Sequence, residues 1–494
     1  MSKISKKIMI VLALSLVFVM VFAGCTSMTQ TAVAGGDAKA VVENNGGLAV
    51  KQGAFIYYIN GLTATADIKK KEDNTFGNVV KGAIMRAELD GDGNVKKGSQ
   101  KVLVPLMALS ANKKGGITVL GNWVYYTTPS IQKDKYDVLQ TSYLEFMRTS
   151  IDGTVTQNIA TVDGQSTEYK FTSDALVYFA NGTITRVSYD DEKVGATDII
   201  AENVSSVVLP MSQTFDPAKG ATDDVIFYTK ASQNDKDMFN ITYAVGTKAG
   251  SEAKAIIDGK SYGEDKKTQY TISLKFANVV ADGIELYYEK ANTNDHENKA
   301  GIFGAKYANG VLDVKNEVRF TGESQTTIFP MSLESGLYVL QNGKLTLRKE
   351  SVSESGVESF FAEDSAIELP SGAVIVDFVT YKYFDGSELE SVLYIDANKL
   401  YVRPLANNGM AAVAITTEND YAIDSSWLMP EVISGKVYFF NTNYYKYMEM
   451  VDLATGDFVE GENGKLAHPL AQLNEADAKA EKEKAEAEEK ENNK

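Results

Sequence analysis

The chain has 494 residues, 44% of them hydrophobic and 23% charged, enough for two or three ordinary domains or one large repeat fold. It carries 49 Lys and Arg against 66 Asp and Glu, a net charge of −17. A body this anionic is repelled by phosphate backbones, so no nucleic-acid partner is expected. One Cys forbids an internal disulfide, and two His (His296 and His468) exclude His-rich metal sites.

In chain order, Lys3, Lys6 and Lys7 form a basic start, and Ile8 to Ala23 follow as a 16-residue apolar run interrupted only by Ser15. That is short of the about 20 residues a membrane span needs, but it suits a signal-peptide core. The run ends Val21-Phe22-Ala23-Gly24-Cys25, which resembles the bacterial lipobox. The resemblance implies a lipoprotein signal peptide over 1–24, cleavage between Gly24 and Cys25, and a diacylglycerol thioether on Cys25. It also implies a lipid-anchored, outward-facing place in a bacterial cell envelope, with the membrane as partner through that lipid. The competing reading is a plain secretory signal followed by a stray thiol; the only Cys of the chain falling at this position favours the lipoprotein. Two or three acyl chains supply anchoring that one cannot. The rest of 25–47 is small and polar without apolar periodicity and reads as a flexible tether.

From 48 to 470 a short strand-like run built around Tyr recurs eight times, beginning at Phe55, Trp123, Leu176, Val225, Ile284, Leu337, Val392 and Val437. Each is rich in aromatic and β-branched residues and bounded by Gly, Asn, Asp or Ser, as strands are. From Tyr57 to Tyr438 the seven intervals average about 54 residues, a period characteristic of propeller blades. A second strand follows each run, and of its six most legible copies five carry an Arg near the start: Arg86, Arg148, Arg186, Arg348 and Arg403. Asp90-Gly91 and Asp152-Gly153 close two of these strands as tight turns, where Gly accepts positive φ. A third element contains Pro105, Pro210, Pro330, Pro370 or Pro430; Pro cannot donate to a ladder and belongs at a strand end or edge. With a fourth strand in the remaining length, the expectation is an all-β β-propeller over 48–470. It would have eight blades, or seven if a terminal run completes a shared blade. Radial closure leaves few exposed edges.

Trp123-Val124-Tyr125-Tyr126 together with Met147-Arg148-Thr149-Ser150-Ile151-Asp152-Gly153-Thr154 resembles the bacterial propeller domains of unknown function that are likened to the YWTD propellers of lipoprotein-receptor-related proteins. The resemblance implies architecture and a binding role, and it carries no catalytic residues. The tail 471–494 is charged, of low complexity and without an apolar stripe, and reads as a solvated extension.

No GxSxG, GxxxxGK[ST], HExxH or CxxC occurs, so no catalytic residue, metal ligand or cofactor is nominated. The polar stretch around His296 reads as a solvated insertion. Asp90-Gly91-Asp92-Gly93-Asn94 reads as a hairpin turn rather than a calcium loop, because Val95 stands where that loop needs Gly and Lys101 where it needs Glu. The functional expectation is a binding or scaffold protein for a peptide, glycan or envelope partner, recognised at a Tyr- and Asn-rich propeller face. The alternative is a cell-surface carbohydrate-active enzyme with paired carboxylates in the propeller funnel.

Overall fold

The computed structural model describes residues 35–452, except 60–81, 97–98, 100, 107, 109–115, 131–134, 136–142, 164–166, 232–239, 259–269, 292–300, 322–326, 333–335, 342, 354–355, 362–366, 384–385, 406–410, 416–422, 425–428 and 442–446. Gly24, Cys25, His296, His468 and the tail 471–494 lie outside the described residues.

Each Tyr run becomes an inner strand with antiparallel partners on both sides. Trp123–Pro129, the best copy of the motif, pairs with Thr118–Leu120 on one side and Tyr143–Ser150 on the other, and Thr156–Asp163 completes the unit. Six of the seven residues Trp123–Pro129 are buried. Such a strand is covered on both faces, which is why its sequence is an unbroken apolar and aromatic run rather than an alternation. The fourth strand is the most open to solvent: of the eight residues of Val194–Ala201 only Ala201 is buried.

Among the described residues the strands form seven hydrogen-bonded sheets. Six are of blade size: Val42–Val104 with five strands, Thr118–Asp163, Glu168–Ala201, Val204–Asp258, Val374–Ala414 and Ile423–Asp452. The chain is an all-β propeller with six discrete blades, which corrects the expectation of eight or seven. The Tyr runs at Ile284 and Leu337 fall together in a ten-stranded sheet, because Val318–Thr321 pairs in parallel with Gly356–Phe361 at Arg319 and Glu358. The repeat period counts hairpin units; it does not register two outer edges pairing with each other.

Apolar clusters join each sheet to the next. Trp123, Phe146, Tyr169 and Phe171 link the second sheet to the third. Val177, Ile184, Ile226 and Tyr228 link the third to the fourth. Leu393 and Val402 meet Val437 and Phe439 near the end of the chain. The ring closes where Val50, Ile56 and Tyr58 of the first sheet pack with Ile433 and Tyr438 of the last.

The recurrent Arg ties neighbouring sheets together. Arg86 donates to the Ile151 carbonyl in the Asp152-Gly153 turn of the next sheet, at 2.8 Å, and lies over the Phe55 ring. Arg148, fully buried, lies 4.1 Å from the Trp123 ring and 4.9 Å from that of Tyr189. It donates to Gln157 Oε1 and to the Asp190 carbonyl of the third sheet. Arg186 repeats the contact with the carbonyls of Thr247 and Lys248 of the fourth sheet while holding Asp198 at 2.5 Å. In each case the guanidinium of one sheet holds the turn closing the third strand of the next. All these turns therefore share one face of the molecule, together with the turns between first and second strands such as Gly53-Ala54 and Gly121-Asn122; this is called the turn face below.

Proline stands where its missing N–H demands. Pro105, Pro210 and Pro370 follow the strands Lys101–Val104, Val204–Val208 and Ile367–Glu368, and Pro430 precedes Glu431–Ile433. Pro330 sits in Thr327–Ser332 at a register shift. The body also begins earlier than residue 48: Val42–Glu43 pairs with Lys51 and Gln52, so the stretch expected to be tether ends sooner.

Candidate functional site

Residues 42–49 lie where strands of several sheets converge. Val42 exchanges backbone hydrogen bonds with Phe215, and Asn45 N donates to the Gln213 carbonyl, both in the fourth sheet. Gly46 N donates to the Ile117 carbonyl and Ile117 N to that of Gly47, at the edge of the second sheet. The Asn45 side chain bonds both backbone groups of Val119. From the last sheet, Glu431 Oε2 accepts from Leu48 N at 2.7 Å, Ala49 N at 3.2 Å and Asn44 Nδ2 at 2.9 Å. A segment that touches the first, second, fourth and last sheets of a ring occupies its centre. Two glycines permit the approach: a Cβ on Gly116 would overlap the Gly47 carbonyl, and one on Gly47 would overlap the Glu431 carboxylate. Glu431 is partly buried, and its desolvation, more than the nearby Asp377, pushes its carboxyl up to about 8 against the pull of its three donors.

Beside this segment is a cavity of about 30 Å³, room for a water or two, lined by Asn45, Thr118, Lys170, Thr172, Asp223 and Asp224 among others. Lys170 comes from Glu168–Phe171, the first strand of the third sheet. Its Nζ lies 2.8 Å from Asp223 Oδ2 and also donates to the Asp223 carbonyl; Ser212 N donates to the same Oδ2. Burial pulls the Lys170 ammonium below the ordinary lysine range, with Asp223 opposing. Burial raises Asp224; Lys170 opposes the rise, and Asp223 and Asp174 add to it. Asp224 Oδ1 is buried without a hydrogen-bond partner. The cluster thus joins a buried ion pair to a carboxylate whose pKa burial raises.

No sequence motif marks these residues. The one available signal is length: the connection 209–224, which supplies Gln213, Phe215, Asp223 and Asp224, occupies a place where 53–54 and 121–122 suffice in the first two sheets. The run tyrosines do not form a recognition surface. Tyr57, Tyr125, Tyr126, Tyr287 and Tyr288 are among the most deeply buried side chains, and burial pushes the Tyr57 and Tyr125 hydroxyls up to about 12. The turn Asp90 to Asn94 is a side-chain-stabilised hairpin turn, with Asp90 Oδ1 accepting from Asp92 N and Asn94 N. Among the described residues, no three His, Cys, Asp or Glu group as metal ligands, and no helix is long and apolar enough to cross a membrane.

No family model matches the chain, and no curated protein does. Solved structures do. A prolyl endopeptidase is similar at 10% identity with a TM-score of 0.37, over 82% of this chain and 55% of its own; the chain thus spans little more than half of that enzyme. A polysaccharide lyase is similar at 12% identity and 0.34, over 68% of this chain and 89% of its own. The propeller domain of Cps50 (Swd1) from Myceliophteria thermophila is similar at 8% identity and 0.29, over 69% and 98%. Likeness at these levels says nothing about activity.

Proposed function

We propose that the chain is a lipid-anchored extracytoplasmic propeller, held through Cys25, that serves as a binding or scaffold protein for a peptide, glycan or envelope partner. The observation that supports a binding rather than a catalytic role is the filled centre. Residues 42–49 occupy the ring interior, and the adjoining cavity of about 30 Å³ compares with roughly 300–1,000 Å³ for pockets that enclose drug-sized ligands. Recognition then falls to the outer faces, where loops carry specificity at little cost to the fold. The test is fractionation with lipid labelling in a bacterial host. The wild-type chain takes up labelled acyl chains and sediments with membranes, and Cys25→Ala does neither; an unlabelled, cytosolic wild-type chain would overturn the reading.

The carbohydrate-active alternative draws on Asp174, Asp223 and Asp224, where burial raises the Asp224 carboxyl above the ordinary carboxylate range, the direction a general acid needs. It predicts glycan cleavage that disappears in Asp224→Asn. A wild-type chain without cleavage of envelope glycans removes it.

A further inference from the structure

We infer that the turn face is the surface apposed to the lipid bilayer; this rests on the anchored reading of Cys25 given above. The path of the first described residues carries the argument. Val42–Glu43 runs antiparallel to Ala49–Gln52, so the chain before Val42 lies at the end where that strand enters its turn. Gly53 N donates to the Val41 carbonyl, and a Cβ on Gly53 would touch Ala40. Further toward the N-terminus, Gly35 lies against Phe55 and Arg86, and Gly36 against Ile151. The chain therefore leaves the ring centre over Gly53-Ala54 and the Ile151–Thr154 turn. Gly35 stands ten residues after Cys25, and at 3.3–3.6 Å per residue that stretch reaches at most about 36 Å.

The other end agrees. In the last strand, Tyr447–Asp452, Asp452 pairs with Lys436, which opens the second strand just after the Ser434-Gly435 turn. The chain thus leaves this sheet too on the turn face, and Lys436 Nζ bonds Asn94 of the Asp90–Asn94 turn there. Both ends of the described chain lie on one side, and an anchor attached to the first can bring only that side to the membrane at short range.

The face is polar, with Asp90, Asp92, Asp190, Asp191 and Glu192 exposed beside Lys96, Lys193 and Lys248, and it is the lipid on Cys25 that holds it at the membrane. The opposite face, where Ile59 ends and Ile84 begins, points outward.

The test uses the full lipidated chain, with Cys25 blocked by its thioether, in vesicles of phosphatidylethanolamine and phosphatidylglycerol carrying a headgroup-quencher lipid. Fluorophores are placed at Gly91→Cys or Glu192→Cys on the turn face, and at Glu202→Cys or Gly372→Cys on the opposite face. All four positions are exposed, and a Cβ at Gly91 or Gly372 meets nothing; two sites per face guard against a local folding defect. Strands of seven residues, as in Trp123–Pro129, separate the faces by about 23 Å, so quenching at 91 and 192 should exceed that at 202 and 372 several-fold. Equal or reversed quenching in a chain that does bind vesicles overturns the orientation and leaves the anchor standing. A chain that acquires no lipid and binds no vesicles overturns the anchor, and the orientation with it.

Discussion

Replacing Glu431 by Gln should flatten the pH dependence of stability. The folded carboxyl sits at about 8, from an ordinary value of 4.5. Between those values the folded protein keeps the proton and the unfolded chain releases it. Unfolding then releases protons, so stability falls as pH rises through the window and is greatest below it. At 1.36 kcal/mol for each unit of pKa difference, the full swing from pH 4 to pH 9 is about 5 kcal/mol. Glutamine offers one carbonyl oxygen to the donors Asn44 Nδ2, Leu48 N and Ala49 N and does not titrate. Denaturant midpoints measured for wild type and Glu431→Gln at unit steps from pH 5 to 9 isolate this group, because every other acid is common to both. The wild type should lose up to about 1.4 kcal/mol per pH unit relative to the variant, and above pH 8 the variant should be the more stable. Profiles that run parallel within about 0.5 kcal/mol would refute the claim that burial outweighs the three hydrogen bonds.

Arg148→Met keeps much of the apolar contact but strands Gln157 Oε1 and the Asp190 carbonyl; a loss of about 3 kcal/mol is expected from equilibrium denaturation. Gly116→Ala drives a methyl into the Gly47 carbonyl and should destabilise by about 1–3 kcal/mol, with faster tryptic cleavage at Lys39 as the central segment loosens. Gly91→Ala, with open space at its Cβ, should change stability by less than about 0.5 kcal/mol. Lys170→Met removes the charge that opposes Asp224's rise, so the Asp224 carboxyl, followed by NMR titration, should move higher still. It should also cost about 3–5 kcal/mol, because Asp223 is left in a buried site without its cation.

Much of the scaffold was legible because it is written in short-range pattern. Tyr57, Tyr125 and Tyr288 sit in runs whose aromatic and β-branched content marks strands covered on both faces, and all three are buried in such strands. Arg86, Arg148 and Arg186 recur at one place in the strand that follows each Tyr run, where register sets them opposite Tyr57, Tyr125 and Val177. Asp152-Gly153 forms its turn with Gly153 at φ 73°, as the dipeptide's chemistry requires.

What the tertiary structure decided depends on groups far apart in the chain. The merging of two units into a ten-stranded sheet rests on Arg319 meeting Glu358, a pairing of backbone edges with no side-chain signature. The filled centre rests on Gly47 meeting Gly116, and on Glu431 reaching Asn44 across 387 residues. The ion pair of Lys170 with Asp223 exists because a long connection of the fourth sheet folds back onto the third. Strand, turn and repeat follow from neighbours within a few residues, where propensity and periodicity act. The site follows from ring closure, which brings remote carboxylates, amines and backbone N–H groups together in a place that water barely enters.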